Sequence, residues 1–187
     1  YLLLERINVG GMAEVFKAKA FGVEGFERLI AVKRILPSIA EDEEFITMFI
    51  DEAKIAVQLQ HANIAQILDL GKVGDSFFIA LEYVSGKDLR QILDYYRKKK
   101  ELLPLPAAAF LASKICDGLD YAHNNTVVHR DVKPANIMIE RSGRVMVADF
   151  GLAKSETSSN ITSAGLILGT PNYMSPEQAR GEADVDT

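Results

Sequence analysis

Residues 127–151 concentrate polar side chains that could hold a cation and move a proton. These side chains belong to Asp131, Lys133, Asn136 and Asp149. Two short apolar runs, 137–139 and 145–147, separate Asp149 from the other three, with turn residues between the runs. This pattern predicts a β-hairpin. Because a hairpin brings its two ends together, we expect all four side chains to lie close to one another.

The expected cluster fits a magnesium ion and a general base. Clustered carboxylates repel one another unless a cation lies among them. Carboxylate and amide oxygens are the ligands that Mg²⁺ prefers, so we predict Asn136 and Asp149 as metal ligands. Asp131 stands apart from that pair in sequence and could act as a base.

The first 33 residues predict β-strands around a glycine pair, Gly10-Gly11, with a later turn at residues 22–25. The glycine pair lies between two strands rather than between a strand and a helix, which argues against a dinucleotide fingerprint. Taken alone, the pair indicates a hairpin turn. It would equally allow the backbone to approach phosphate groups closely.

Residues 43–60 predict an amphipathic helix. Glu52 falls on its apolar face, between Phe49 and Ile55. A buried carboxylate needs a partner. Glu52 therefore either reaches solvent at the edge of this face or pairs with a cation from another element.

The remaining periodic segments predict two more strands and two more helices. The strands are 64–70 and 76–82, and the helices are 88–98 and 106–124. Asp88 opens the first of these helices as a cap, as a ligand-binding residue, or as both.

Composition excludes several classes of function. The chain has 187 residues, a size that fits one domain, and it is 48% hydrophobic with a net charge of −5. The acidic balance argues against nucleic acid, and no apolar run is long enough to predict a membrane span or a signal peptide. A single cysteine, Cys116, fits a reducing, cytoplasmic location.

Four motifs resemble those of protein kinases. Residues 129–136, HRDVKPAN, followed by Asp149-Phe150-Gly151, resemble the catalytic loop and the D-F-G motif. The run 30–33, IAVK, follows the glycine pair at the distance found in kinases, and residues 169–177 resemble the A-P-E end, with Ser175 in place of Ala. The resemblance covers nearly the whole chain. Among protein kinases, the sequence resembles the bacterial-type serine/threonine kinases.

The resemblance implies an α+β, two-lobed fold that takes ATP and Mg²⁺. Residues 1–84 would form the β-rich N-lobe and hinge, and 85–187 an incomplete, mainly helical C-lobe. Asp131 would be the catalytic base and Lys133 would steady the γ-phosphate. The implied nucleotide contacts come from the glycine-rich loop, the adenine and ribose sites, the strand lysine with its helix glutamate, and the hinge: Ile7, Asn8, Val9, Gly10, Gly11, Met12, Ala13, Val15, Ala31, Lys33, Glu52, Glu82, Val84, Asp88 and Met138.

The glycine-rich loop departs from the family pattern at two positions. Asn8 stands where the first glycine is expected, and Ala13 stands where the third is expected. Asparagine tolerates left-handed backbone better than most residues, whereas Ala13 adds one methyl group near the phosphates.

The resemblance also implies regulation by phosphorylation. Residues 149–177 would form an activation loop, and Arg130 before Asp131 marks kinases that loop phosphorylation switches on. Thr162 is the predicted acceptor, with Ser163 second. Lys133 and Thr170 follow the serine/threonine pattern rather than the tyrosine pattern.

Two rival functions remain at this point, a pseudokinase and a small-molecule phosphotransferase. The complete set of motif residues argues against a pseudokinase. The motifs at 129–136 and 169–177 argue against a small-molecule phosphotransferase. The implied partner is a protein carrying Ser or Thr, with no nucleic acid and no membrane contact from this segment. We further expect a longer natural chain, with regulatory or anchoring regions beyond it and low solubility for a protein ending at Thr187.

Overall fold

The computed structural model describes residues 1–10, 13–150 and 171–180. The chain divides into two compact units. The first comprises Tyr1–Gln60 and Ala65–Ser85, and the second comprises His61–Ile64 and Gly86–Thr187.

The first unit is built on a five-stranded antiparallel sheet in the order β1-β2-β3-β5-β4. Its strands are β1 (Leu2–Val9), β2 (Ala13–Phe21), β3 (Glu27–Ile35), β4 (Ile67–Val73) and β5 (Ser76–Glu82). Small and β-branched side chains from β2, β3 and β5 pack into one core: Ala18, Ala20, Ile30, Val32 and Ala80. The β-structure expected over the first 33 residues is thus confirmed, and so is the strand at 76–82.

Helix α1 (Glu43–Ala56) completes the first unit. The Asp42 side chain caps it by accepting a hydrogen bond from the backbone N–H of Phe45 at 3.0 Å. The helix ends four residues before the predicted end at residue 60. Tighter bonds follow it, from the Gln58 N–H to the Ile55 carbonyl and from the Leu59 N–H to the Ala56 carbonyl, which is typical of a helix end.

The described residues of the second unit form a three-stranded sheet and three α-helices. The strands are β6 (Gly86–Asp88), β7 (Ile137–Glu140) and β8 (Val145–Val147), and the helices are α2 (Leu89–Lys99), α3 (Leu105–Asn124) and α4 (Pro176–Arg180). The predicted hairpin is present as β7 and β8. Strand β6 was not predicted, because a three-residue Gly-Lys-Asp run carries no apolar alternation. Gly86 is required there, since a Cβ atom would collide with the carbonyl of Ile139.

A short segment, residues 61–64, packs against β8 and α3. The Asn63 side-chain amide donates to the Val145 carbonyl at 2.7 Å, and the Val147 N–H donates to the Asn63 carbonyl at 2.8 Å. Ile64 forms an isolated bridge with Val147. These bonds explain why β4 begins at Ile67 rather than at the predicted residue 64.

Within the described residues, no helix combines the length and the apolar character needed to cross a membrane.

Candidate active site

The β7–β8 hairpin brings the predicted metal ligands to adjacent positions. Ile137 pairs with Val147 at the base of the hairpin. One residue further out, the N–H of Ala148 donates to the carbonyl of Asn136 at 2.8 Å. Asn136 therefore lies directly opposite the residue that precedes Asp149, as the hairpin pattern led us to expect.

The two oxygens of the Asp131 carboxylate have different environments. Oδ2 accepts hydrogen bonds from Lys133 Nζ at 2.6 Å and from Asn136 Nδ2 at 3.0 Å. Within residues 1–10, 13–150 and 171–180, no hydrogen bond reaches Oδ1. The two donors hold the carboxylate in one orientation and leave Oδ1 able to accept a proton from a bound hydroxyl group.

Asn136 and Asp149 offer a donor set that suits magnesium. Asn136 is buried, and its Nδ2 bonds both the carboxylate and the backbone carbonyl of Asp131. Its Oδ1 is therefore the atom left to bind a cation. The described part of the chain holds no cluster of three or more His, Cys, Asp or Glu side chains suited to a metal. Magnesium bound here would complete its coordination with phosphate oxygens and water, as it commonly does.

His129 links the two loops that carry these residues. It is only 1% exposed. Its Nδ1 accepts from the Asp131 N–H at 3.2 Å, and its Nε2 lies 3.1 Å from the Ala148 carbonyl. These bonds fit a neutral ring protonated at Nε2, and burial lowers the pKa of His129 below its usual value. The ring also packs against Phe150, with 4.6 Å between centroids.

Two site residues adopt left-handed backbone conformations that the sequence did not signal. Arg130 has φ 61° and Asp149 has φ 57°. Such a conformation costs a non-glycine residue roughly 1–2 kcal/mol. The hydrogen bonds around His129 and Asn136 stabilise both loops in spite of this cost. No glycine or asparagine marks Arg130, so only the structure could reveal it.

Gln178 is a further residue that we did not predict. It lies on α4, and its Nε2 donates to the carbonyl of Arg130 at 2.7 Å. The only advance signal was the Ser175-x-x-Gln178 spacing, which is typical of a helix-capping box.

In the first unit, register places the predicted adenine and phosphate residues on one face of the sheet. Val15 pairs with Lys33 across β2 and β3, and Ala31 pairs with Leu81 across β3 and β5. Cross-strand partners point to the same face. Ala31 and Lys33 are two residues apart on β3 and also point to one face, so all four side chains share it. Leu81 was not predicted, although alternation within the strand 76–82 would have found it.

Residues 7–10 and 13–15 belong to the part of the glycine-rich hairpin that the structure describes. Gly10 N–H donates to the Ala13 carbonyl at 2.8 Å, and Asn8 pairs with Val15. The side chain of Asn8 accepts from the neighbouring Val9 N–H at 2.9 Å. Ile7 and Val9 are exposed on β1.

The hinge and ribose candidates lie at the ends of β5 and β6. Glu82 donates its N–H to the Gln66 carbonyl at 2.8 Å, and Val84 is buried. Asp88 caps α2 by accepting from the Gln91 N–H at 2.8 Å, which confirms one of its two predicted roles. Met138 lies on β7 opposite Asp88.

Several predicted residues lie outside what the structure describes. They are Gly11, Met12, the side chain of Glu52, and the loop residues Thr162, Ser163 and Thr170. The Lys33–Glu52 ion pair and the phosphorylation site therefore stay predictions.

Comparison with known proteins finds sequences that are similar along the whole chain. A family model described as the protein kinase domain matches residues 1–186. The tyrosine-protein kinase MasK of Myxococcus xanthus is 40% identical over 194 residues, covering 100% of this chain and 30% of that protein. The serine/threonine-protein kinase PrkC of Bacillus subtilis is 40% identical over 181 residues, covering 97% of this chain and 27% of that protein.

A solved structure shows the same fold. The crystal structure of the PknI kinase domain of Mycobacterium tuberculosis matches with a TM-score of 0.73 and 31% identity, covering 98% of this chain and 64% of that one. The chain thus spans less than a third of the length of the two relatives above, MasK and PrkC.

Proposed function

This chain belongs to the protein kinase family, and from that premise we propose that it transfers the γ-phosphate of ATP to Ser and Thr hydroxyl groups of proteins. The observation that carries the proposal is the Asp131 carboxylate, which Lys133 and Asn136 hold by one oxygen. The other oxygen is oriented for a hydroxyl group by the same two contacts.

Phosphoryl transfer needs positioned charge more than covalent help from the protein. Asp131 would accept or orient the proton of the attacking hydroxyl. Lys133, which lies 2.6 Å from Asp131 Oδ2, would neutralise negative charge that builds up on the γ-phosphate. The same lysine thereby fixes the base and supports the phosphate.

Protein kinases use ATP with Mg²⁺, and the donor chemistry of this chain fits both. Asn136 and Asp149 would hold the metal, which when bound supplies positive charge to the phosphate oxygens. Lys33, 7% exposed on β3, would bind the α- and β-phosphates and be oriented by Glu52. Adenine would pack against Val15, Ala31 and Met138, and the other nucleotide contacts would come from the loop, hinge and ribose candidates: Ile7, Asn8, Val9, Gly10, Gly11, Met12, Ala13, Glu82, Val84 and Asp88. On this proposal the first unit is the N-lobe with its hinge and the second is the C-lobe. The need for ATP supports a cytoplasmic location.

A tyrosine-directed activity is the second candidate, because MasK is named a tyrosine-protein kinase. Lys133 and Thr170 follow the serine/threonine pattern and favour the first candidate. Phosphoamino-acid analysis of a generic protein substrate after incubation with Mg·ATP separates the two. Phosphotyrosine as the main product would overturn the proposed specificity. ATP binding without transfer would indicate a pseudokinase.

Replacement of Asp131 tests the chemistry directly. Asp131→Asn keeps the size of the side chain and removes its basicity, so transfer should fall by about 10²–10⁴-fold while ATP binding persists. Asp117→Asn is the matched control, because Asp117 is an exposed residue of α3 that pairs only with Lys114 among the described residues. Transfer by Asp131→Asn at the parent rate would refute the assignment.

Phosphorylation of Thr162 or Ser163 would regulate this activity. A phosphate adds roughly −1.5 to −2 charges and pairs readily with arginine, and Arg130 precedes Asp131. Mass spectrometry of the active protein should find at least one of the two residues modified. Active protein with both residues unmodified would refute this part of the proposal.

A further inference from the structure

Gln178 uses both ends of its side-chain amide. Oε1 accepts a hydrogen bond from the N–H of Ser175 at 3.0 Å, and Nε2 donates to the carbonyl of Arg130 at 2.7 Å. The backbone N–H of Gln178 in turn donates to Ser175 Oγ at 3.3 Å. The amide orientation is therefore fixed from two sides.

The carbonyl that Gln178 contacts belongs to the peptide unit that leads into Asp131. The N–H at the other end of this unit is that of Asp131, which donates to His129 Nδ1 at 3.2 Å. Gln178 and His129 thus hold opposite edges of one peptide plane. Arg130 has a left-handed φ of 61°, a conformation that persists only where neighbouring contacts hold it, and a rotation of this plane would change φ of Asp131. Such a rotation would move the carboxylate of Asp131.

Helix capping alone does not explain this contact. A capping box needs the backbone N–H groups of both residues, the hydroxyl of the serine and one acceptor on the third residue after it. Oε1 of Gln178 satisfies that last requirement. The Nε2 donor is not needed for the cap, and it points instead at the catalytic loop.

We propose that Gln178 is a positioning residue, which holds the Arg130–Asp131 peptide plane and thereby keeps the Asp131 carboxylate in its reactive orientation. The inference rests on the proposed role of Asp131 as the catalytic base. It concerns Gln178 alone within α4, because Gln178 is the residue of this helix whose side chain bonds the Arg130 carbonyl.

Two replacements of Gln178 separate the cap from the contact with the loop. Gln178→Glu keeps an acceptor for the Ser175 N–H, but its carboxylate repels the Arg130 carbonyl. Gln178→Lys keeps a donor for that carbonyl and loses the acceptor. The matched control is Ser175→Ala, which weakens the cap, leaves Nε2 in place and restores the alanine of the A-P-E motif.

In the full-length protein we expect kcat of Gln178→Glu to fall by about 10- to 100-fold, because small misplacements of a catalytic group have effects of this size. The KM for ATP should stay within about twofold of the parent value, since Asp131 does not bind the nucleotide. Gln178→Lys and Ser175→Ala should keep most of the parent kcat. A parent-like kcat in Gln178→Glu would overturn the proposal, and so would equal losses in Gln178→Glu and Ser175→Ala with equal drops in melting temperature.

Hydrogen exchange makes the test independent of activity. Amides in the 127–136 region should exchange faster in Gln178→Glu than in the parent and in Ser175→Ala, because the carbonyl edge of the peptide plane has lost its hydrogen bond to Gln178. Unchanged exchange would refute the positioning role even if no phosphate transfer were found. Asp131→Asn, assayed in parallel, tells failure of the proposed base apart from failure of Gln178.

Discussion

The polar atoms of the site's side chains differ in whether they make hydrogen bonds within the protein. Asp131 bonds its neighbours through one oxygen, Asn136 through one amide nitrogen, and His129 through both ring nitrogens. In the first two residues one polar atom fixes the side chain while another remains for chemistry. In His129 both atoms serve structure, so it has no atom left to transfer a proton.

The protonation state of His129 should make stability depend on pH. Because burial lowers its pKa below the ordinary 6.5, the unfolded chain binds this proton more readily than the folded protein. The free energy of unfolding should therefore fall as pH drops below about 6.5, by at most roughly 1.4 kcal/mol per pH unit from this one proton. The hydrogen bond to the Ala148 carbonyl and the carboxylates of Asp131 and Asp149 raise the pKa of His129 and so reduce the effect of burial.

His129→Phe provides the measurement for this effect. The variant keeps an aromatic ring against Phe150 and has no titrating group. Chemical denaturation of the metal-free parent and variant, at about pH 7.5 and about pH 5.5, should show a smaller loss of stability on acidification in the variant. Equal losses in both proteins would mean that His129 titrates similarly in the folded and unfolded chains.

At the scale of elements, an ion pair fixes the two strands that carry the glycine-rich hairpin and Lys33. Glu14 is buried on β2 and accepts from Arg34 Nε at 3.0 Å and Nη2 at 2.6 Å. The two residues are cross-strand partners, and the next pair along the strands is Val15 with Lys33. The ion pair therefore stabilises the register on which the position of Lys33 depends.

Glu14→Ala should disturb both stability and nucleotide binding. Removing the acceptor leaves Arg34 without this partner, and we expect a loss of about 1–3 kcal/mol in the free energy of unfolding together with a higher KM for ATP. Glu27→Ala is the matched control, since Glu27 pairs with Lys19 at the far, exposed end of the same two strands. Its effect should stay below about 1 kcal/mol.

A double-mutant cycle with Arg34→Ala decides whether the pair itself is responsible. If Glu14→Ala and Arg34→Ala have additive effects on both unfolding and KM, the register does not depend on this interaction.

Across the whole molecule, the sequence predicted elements that have a local pattern of apolar residues. It did not predict features that depend on contacts between segments far apart in the chain. Short apolar runs bounded by turn residues predicted the hairpin at 137–147 and the strand at 76–82. The missed features depend on partners far away in sequence. Strand β6 exists because β7 pairs with it, and the late start of β4 follows from the packing of residues 61–64.

The candidate site divides in the same way. Motif spacing and the hairpin pattern were enough to predict that Asn136 lies beside Asp131 and opposite the residue before Asp149, whereas the chemical roles of these residues stay predictions. The left-handed turn at Arg130 and the contact from Gln178 are consequences of tertiary structure. Neither leaves a periodic trace in the sequence.

The segment 61–64 shows how the path of the chain constrains single positions. It belongs to the second unit, although the residues on both sides of it belong to the first. Its packing requires a glycine in the middle of α3. A Cβ atom at Gly118 would lie 2.7 Å from the carbonyl oxygen of Asn63, which itself accepts the Val147 N–H.

Gly118→Ala should therefore destabilise the protein, against the usual trend. In an ordinary helix interior, replacing glycine by alanine stabilises by roughly 1 kcal/mol. Here the added methyl group must displace Asn63 and weaken its bonds to β8, so we expect a net loss of about 1–3 kcal/mol in the free energy of unfolding. Ser113→Ala, at an exposed position of the same helix, is the control and should be neutral or slightly stabilising. Denaturant unfolding of the three proteins decides the matter: a stabilised Gly118→Ala variant would show that residues 61–64 can move away from α3 at little cost.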